Sequence, residues 1–175
     1  MKTMKKIIAI MAVIATVISC FAVTASAKNV CSEVSGYAYE TGGNSDTFRV
    51  IAKDTKSHSL KMKMTKGKLE GCDMMRCSIF DKSAYGFYEI KIYSVKNNKA
   101  DKLLNKYNVK NKSNHTINLQ GYKEYEVRVY NWKTDTIVKN QNWFSSIVYS
   151  GFSYFHWTAA PTWKISKTSG VSYCR

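Results

Sequence analysis

Arginine is scarce in this sequence, although the chain is strongly basic. Lysine and arginine together number 27 against 12 acidic residues, yet only Arg49, Arg76, Arg128 and Arg175 are arginines. Nucleic-acid readers and phosphate binders favour the bidentate fork of arginine over the point charge of lysine. The sequence therefore argues against a nucleic-acid partner. The lysines indicate either a protein that works near anionic surfaces or one that uses charge for solubility.

Catalytic motifs are also missing. The sequence contains no serine-nucleophile motif, HExxH pattern, glycine-rich phosphate loop or closely spaced pair of catalytic carboxylates. Its three histidines, His58, His115 and His156, are interpreted as packed or surface side chains. We therefore expect a non-enzymatic protein with no cofactor. A small secreted enzyme or enzyme inhibitor is kept as an alternative, because distant strands can assemble a site that no local motif reveals.

Metal-ligand spacing is incomplete. Cys72 and Cys77 are separated by four residues, which is compatible with half of a metal site. A structural site for zinc needs about four ligands, and the sequence has no second cysteine pair and only scattered histidines. We therefore predict no metal.

The N-terminal segment, residues 1–27, has the pattern of a secretory signal peptide. A basic start up to Lys6 is followed by an apolar run, Ile7 to Val23, and by the small-residue cleavage site Ala25-Ser26-Ala27. Removal of this segment lowers the formal charge from +15 to +12. We predict a secreted, extracellular protein. The alternative is cleavage before Cys20 and lipid anchoring there, because Val17-Ile18-Ser19 also suits a lipidated cysteine.

The remaining cysteines suggest disulfide bonds. Cys31, Cys72, Cys77 and Cys174 form an even set, and exported proteins fold in oxidising compartments. Three pairings are open. We favour Cys31 with Cys174, which would join the two ends of the domain, and Cys72 with Cys77, which would close a short loop.

Helical patterns are short or missing, and alternation dominates instead. In Leu60-Lys61-Met62-Lys63-Met64 every second residue is apolar, which predicts a strand with one buried face. Residues 100–108 are assigned to a short helical turn or an added edge strand. Turns are expected at Lys66-Gly67, Asn97-Asn98, 111–114 and 120–121. Further strands are predicted at 37–39, 48–52, 85–95, 115–119, 125–132, 144–154 and 162–165. Residues 28–175 are therefore expected to form a single, disulfide-stapled antiparallel β-sandwich domain of the all-β class.

The segment from Leu119 to Val129 resembles the tyrosine corner of fibronectin type III and related immunoglobulin-like domains. Leu119, Gly121 and Tyr125 match that motif in kind and spacing. The resemblance implies an immunoglobulin-like sandwich in which the Tyr125 hydroxyl bonds back to upstream backbone. It departs from the family in lacking the turn proline, and such folds host many unrelated functions.

Aromatic residues are dense between positions 132 and 163, which exceeds what one core face requires. They either pack under a second layer or form an exposed platform for sugars or a lipid interface. Together with the alternating lysines they give the candidate ligand-binding residues: Trp132, Trp143, Tyr154, Trp157, Lys61 and Lys63.

Secretion, positive charge and aromatics together favour a non-enzymatic binding or adhesion module. Its expected partner is an anionic cell-surface polymer or glycan. A bacteriocin-like or toxin-like protein that acts on anionic membranes is the first alternative. The sequence leaves the oligomeric state open.

Overall fold

The computed structural model describes residues 30–38, 45–72, 80–132 and 154–175. Within them the chain forms thirteen β-strands and no helix, so the predicted all-β class is confirmed. The strands are β1 (Val30–Cys31), β2 (Val34–Tyr37), β3 (Ser45–Ala52), β4 (His58–Met64), β5 (Lys66–Cys72), β6 (Phe80–Tyr85), β7 (Phe87–Lys96), β8 (Lys99–Lys110), β9 (Asn114–Leu119), β10 (Glu124–Asn131), β11 (Tyr154–Ala159), β12 (Thr162–Ile165) and β13 (Val171–Cys174).

The described strands pair in three antiparallel sheets. A six-stranded sheet has the order β1-β13-β3-β10-β7-β8, and a four-stranded sheet has the order β2-β12-β4-β9. A three-stranded sheet has the order β11-β5-β6. Strands β12 and β13 lie inside their sheets, between strands from the first part of the chain.

The six-stranded and four-stranded sheets share one hydrophobic core, as in a β-sandwich. Leu60, Met62 and Met64 of β4 point into it, while Lys61 and Lys63 point to solvent, as the alternation predicted. The opposite sheet contributes side chains such as Phe48 of β3 to the same cluster. Burial of these side chains removes apolar surface from water, which stabilises the fold by roughly 25 cal/mol for each Å² buried.

The three-stranded sheet is made from continuations of strands in the other two sheets. Strand β5 follows β4 after one residue, β6 precedes β7 across Gly86, and β11 leads into β12 through Pro161. Gly67 lies where β5 passes the β11–β12 corner, and a Cβ there would overlap the carbonyl oxygen of Ala159. The predicted turn at Lys66-Gly67 is wrong, because glycine here allows a close strand contact instead of a reversal.

Strand β8 forms the edge of the six-stranded sheet and settles the choice left open for residues 100–108. It pairs with β7 through the turn Asn97-Asn98, whose φ values are 51° and 59°. Two successive left-handed residues are typical of the type I′ hairpin turn, whose twist matches that of the strands. The predicted turn is confirmed, and the segment is an edge strand.

The Tyr125 side chain has the contact that the tyrosine-corner resemblance implied. Leu119 ends β9 in the four-stranded sheet, and Tyr125 lies in β10 of the six-stranded sheet. Between them Gly121 adopts a φ of 87°, in the region that favours glycine. The buried Tyr125 hydroxyl accepts a hydrogen bond from the backbone N–H of Tyr122 at 3.1 Å.

The predicted Cys31–Cys174 disulfide is not formed. Strands β1 and β13 bring the two cysteines onto neighbouring strands, but Val30 lies opposite Cys174 and Cys31 lies opposite Tyr173. Directly opposed residues share a face, so the two thiols lie on opposite faces of the sheet, Cys31 exposed and Cys174 buried. The described residues contain no disulfide. Cys77, and with it the proposed Cys72–Cys77 bond, lies outside the described residues.

Candidate binding surface

The outer face of the four-stranded sheet carries three exposed lysines. Lys61 and Lys63 lie on β4, and Lys164 lies on the neighbouring β12. We call the surface formed by Lys61, Lys63 and Lys164 the lysine face. Strand alternation places these amines in solvent because the residues between them fill the core.

Register brings two of these charges directly together. Lys63 lies opposite Lys164 in the β4–β12 pair, and like charges in this position destabilise a sheet. Glu33 offsets part of the charge with an ion pair to Lys164 at 2.7 Å, in which both side chains are half exposed. Neither Lys61 nor Lys63 forms an ion pair within the described residues. The lysine face therefore retains positive charge available to a partner.

Hydroxyl and amide side chains surround the lysines. Ser59 donates a hydrogen bond to Asn118 Oδ1 at 3.0 Å, and the hydroxyls of Thr65 and Thr162 are 2.6 Å apart. At the edge strand β2, Tyr37 exposes half of its surface. Such a mixture of cations, hydroxyls and one aromatic ring suits a hydroxyl-rich anionic polymer.

On β3, β10 and β7 of the six-stranded sheet, by contrast, basic side chains are paired with carboxylates. Glu126 is buried and binds Arg49 Nη2 at 2.9 Å and Arg128 Nη2 at 2.6 Å. The Arg128 guanidinium also lies 4.7 Å from the centre of the Tyr93 ring. Salt bridges and ring contacts thus occupy these cations internally.

Glu89 forms a second cluster on that sheet. Its carboxylate binds Lys91 Nζ at 2.8 Å and Lys106 Nζ at 2.5 Å. Hydrogen bonds from Lys106 and Lys91 lower the pKa of Glu89, and the bond to Glu89 raises the pKa of Lys91. Both shifts favour the charged forms, so Glu89 offsets one of the two lysine charges within the protein.

A cavity of about 510 Å³ borders the lysine face at its β2 edge, and Asp46 lies in it. Burial raises the pKa of Asp46, while the charge of Arg175 and a hydrogen bond from the Trp163 indole lower it in part. Arg175 Nη2 is 3.9 Å from Asp46 Oδ1. Gly36 also lines the cavity and packs tightly there, since a Cβ at this position would overlap the Asp46 carboxylate and the Trp163 ring.

The predicted aromatic site residues do not form one platform. Trp132 is half buried, with its ring 5.6 Å from Phe87 and 4.9 Å from Lys110 Nζ. Trp157 is only 6% exposed, so its indole is not accessible to a ligand. Tyr154 is placed by its backbone pairing with Cys72, and Trp143 lies outside the described residues.

The histidines occupy three separate surroundings. His58 Nε2 lies 3.0 Å from Asp54 Oδ1. The His115 ring packs edge-on against Tyr107 at 4.7 Å, and burial lowers the pKa of His115. His156 lies opposite Glu70 in the β11–β5 pair.

No protein-family model matches this sequence, and a comparison with curated proteins finds no match. Among the described residues, no helix could span a bilayer and no group of three or more metal-ligating side chains is present.

Sequence reasoning found Lys61 and Lys63 but missed Lys164. The alternation in Thr162-Trp163-Lys164-Ile165 already placed Lys164 on an outer face. What the pattern lacked was the pairing of β12 with β4, which joins segments about a hundred residues apart.

Proposed function

We propose that this protein is a secreted, non-enzymatic binding or adhesion module that docks onto an anionic glycan polymer through the lysine face. One observation carries the proposal: Lys63 and Lys164 lie directly opposite each other, and neither Lys61 nor Lys63 has an ion-pair partner in the described residues. Carboxylate or phosphate groups on a polymer would relieve that repulsion and add charge-assisted hydrogen bonds.

Secretion is part of the proposal and rests on the N-terminal segment, residues 1–27. The charge of an exported basic protein attracts it to acidic envelope polymers and anionic glycans. The hydroxyl and amide groups around the lysines can form directional hydrogen bonds, which add a specificity that charge alone does not give.

We also infer that the sandwich is immunoglobulin-like. The Tyr125 hydroxyl bond to the Tyr122 backbone, at a crossing from one sheet to the other, supports this assignment. One difference from immunoglobulin-like domains concerns a neighbour of β10. Strand β3, which pairs with β10, precedes it in the chain instead of following it. The fold supplies the rigid sheet on which the lysines stand, and it does not by itself specify a function.

Binding to polygalacturonate, a carboxylate-bearing glycan, tests the docking proposal. The full chain is compared with Lys61→Ser/Lys63→Ser on the immobilised polymer, at low salt and well above roughly 0.15 M salt. We expect the double variant to bind about tenfold more weakly, because two charge-assisted contacts are lost. Neutral dextran serves as the uncharged polymer.

Lys99→Ser/Lys102→Ser is the matched control, since it removes the same charge from exposed positions on edge strand β8. We expect this variant to retain binding. An equal loss in both double variants would reduce the effect to net charge and contradict the proposal. Preference for anionic lipid vesicles over the polymer, with leakage, would instead favour the membrane-active alternative.

A further inference from the structure

A second cavity of about 510 Å³ opens on the side of the sandwich opposite the Asp46 cavity. It lies where β8 and β9, the edge strands of the six-stranded and four-stranded sheets, run past each other without pairing. The Tyr107 hydroxyl spans this gap. It accepts hydrogen bonds from Asn105 Nδ2 at 2.9 Å and from the backbone N–H of Asn118 at 3.4 Å.

The floor of this cleft is apolar. Ile92, Leu119 and Tyr125 lie beneath it almost fully buried, so the partly buried Leu104 is the apolar side chain that an occupant can contact. A cavity of this size with an apolar floor falls within the range of small-molecule sites. The C–H groups of a sugar ring can pack against Leu104 while its hydroxyls point outward.

The rim of the cleft is polar. Ser57 donates to Gln120 Oε1 at 3.5 Å, and Ser59 donates to Asn118 Oδ1. The side-chain amino groups of Asn118 and Gln120 donate to no acceptor within the described residues. Each amino group carries donor hydrogens, so these two amides can hydrogen-bond an occupant of the cleft.

The cleft is uncharged, in contrast to the lysine face. Among the described residues that line it there is no lysine, arginine, aspartate or glutamate, and His58 is the only ionisable group besides Tyr125. The His58 ring faces Asp54, which further reduces any positive charge offered to a ligand. The cleft therefore offers no charge that would favour an anionic ligand over a neutral one.

We infer that this cleft is a binding site for an uncharged, hydroxyl-rich ligand, namely a sugar ring, held by the amide groups of Asn118 and Gln120 beside the Leu104 side chain. Asn118 also borders the lysine face through its bond to Ser59. A polymer chain can thus place a neutral sugar in the cleft and its acidic groups on the lysines. The cleft site itself stands on its own geometry and does not depend on the lysine face.

The test follows side-chain amide resonances by NMR while the full chain is titrated with maltotriose and with the uncharged trimer of N-acetylglucosamine. We expect at least one trisaccharide to shift the amide signals of Asn118 and Gln120. Asn118→Ala/Gln120→Ala should bind it about tenfold more weakly, because two hydrogen-bonding groups are lost. Asn108→Ala, which removes an exposed amide on β8 that does not line the cleft, is the matched control and should bind normally.

Lys61→Ser/Lys63→Ser separates this inference from the docking proposal, since it should leave trisaccharide binding unchanged while polygalacturonate binding falls. The inference is overturned if neither trisaccharide shifts the two amides at millimolar concentration. It is also overturned if a galacturonate trimer shifts them more strongly, or if Asn108→Ala weakens binding as much as the double variant does.

Discussion

The two outer faces of the sandwich carry similar cations and differ in how those cations are neutralised. On the six-stranded sheet, Glu126 and Glu89 each bind two basic side chains. On the four-stranded sheet, Glu33 at the edge offsets Lys164, and Lys63 faces Lys164 directly. Cations on β3, β10 and β7 thus share carboxylates, while Lys63 and Lys164 lie directly opposite one another.

The largest expected effect tests the paired charges on the six-stranded sheet. Glu126→Gln removes the buried carboxylate that holds Arg49 and Arg128, and we expect it to lower the free energy of unfolding by about 2 kcal/mol. Urea denaturation followed by circular dichroism measures this. Glu33→Gln is the control, because its pair with Lys164 is exposed, and it should change stability by less than about 0.5 kcal/mol. Equal losses would show that the faces do not differ as described.

An intermediate effect is expected in the pH dependence of stability, with opposite signs for two carboxyls. Burial raises the pKa of Asp46, so ionisation opposes folding, and Asp46→Asn should gain stability relative to wild type as pH rises above 3.8. The lysines lower the pKa of Glu89, so its contribution is present above the usual carboxyl pKa and is lost as pH falls through the lowered value.

Glu89→Gln should therefore be less stable than wild type at neutral pH, with the difference shrinking in acid. Urea midpoints at pH 4 and pH 7 measure both variants. For each variant, the quantity compared is its stability minus that of wild type. If this difference changes in the same direction between pH 4 and pH 7 for Asp46→Asn and for Glu89→Gln, the assignment of the two environments is contradicted.

The smallest expected effect concerns the repulsion on the lysine face. Lys63→Glu places an opposite charge beside Lys164, and we expect a gain of roughly 0.5 kcal/mol in stability. Lys61→Glu is the matched comparison on the same strand, since Lys61 lies opposite Thr116 in the β4–β9 pair. Thermal or urea unfolding should show the smaller gain for Lys61→Glu. The reverse order would remove the argument from cross-strand register.

Local pattern predicted much of the strand content and of the surface. Alternation in β4 predicted which of Leu60, Lys61 and Met62 is buried, because side chains in a strand alternate strictly between two faces. The turn at Asn97-Asn98 was equally local. Exposure of Lys61 and Lys63 followed from the same alternation and required no knowledge of partner strands.

Long-range register could not be predicted in this way. Cys31 and Cys174 do lie on paired strands, but a one-residue offset puts them on opposite faces. Lys164 joined the lysine face only through the pairing of β12 with β4. Gly67 was interpreted as a turn residue because a close contact with Ala159 cannot be anticipated from its neighbours in sequence.

The placement of β12 and β13 determines the order in which the fold can be completed. Strand β2 pairs only with β12, and β1 pairs only with β13, among the described strands. During synthesis, β1 and β2 therefore have no paired strand until residues after Pro161 have been made. Neither sheet can close before the last segment arrives, and such non-local pairing is typical of domains that fold in milliseconds to seconds.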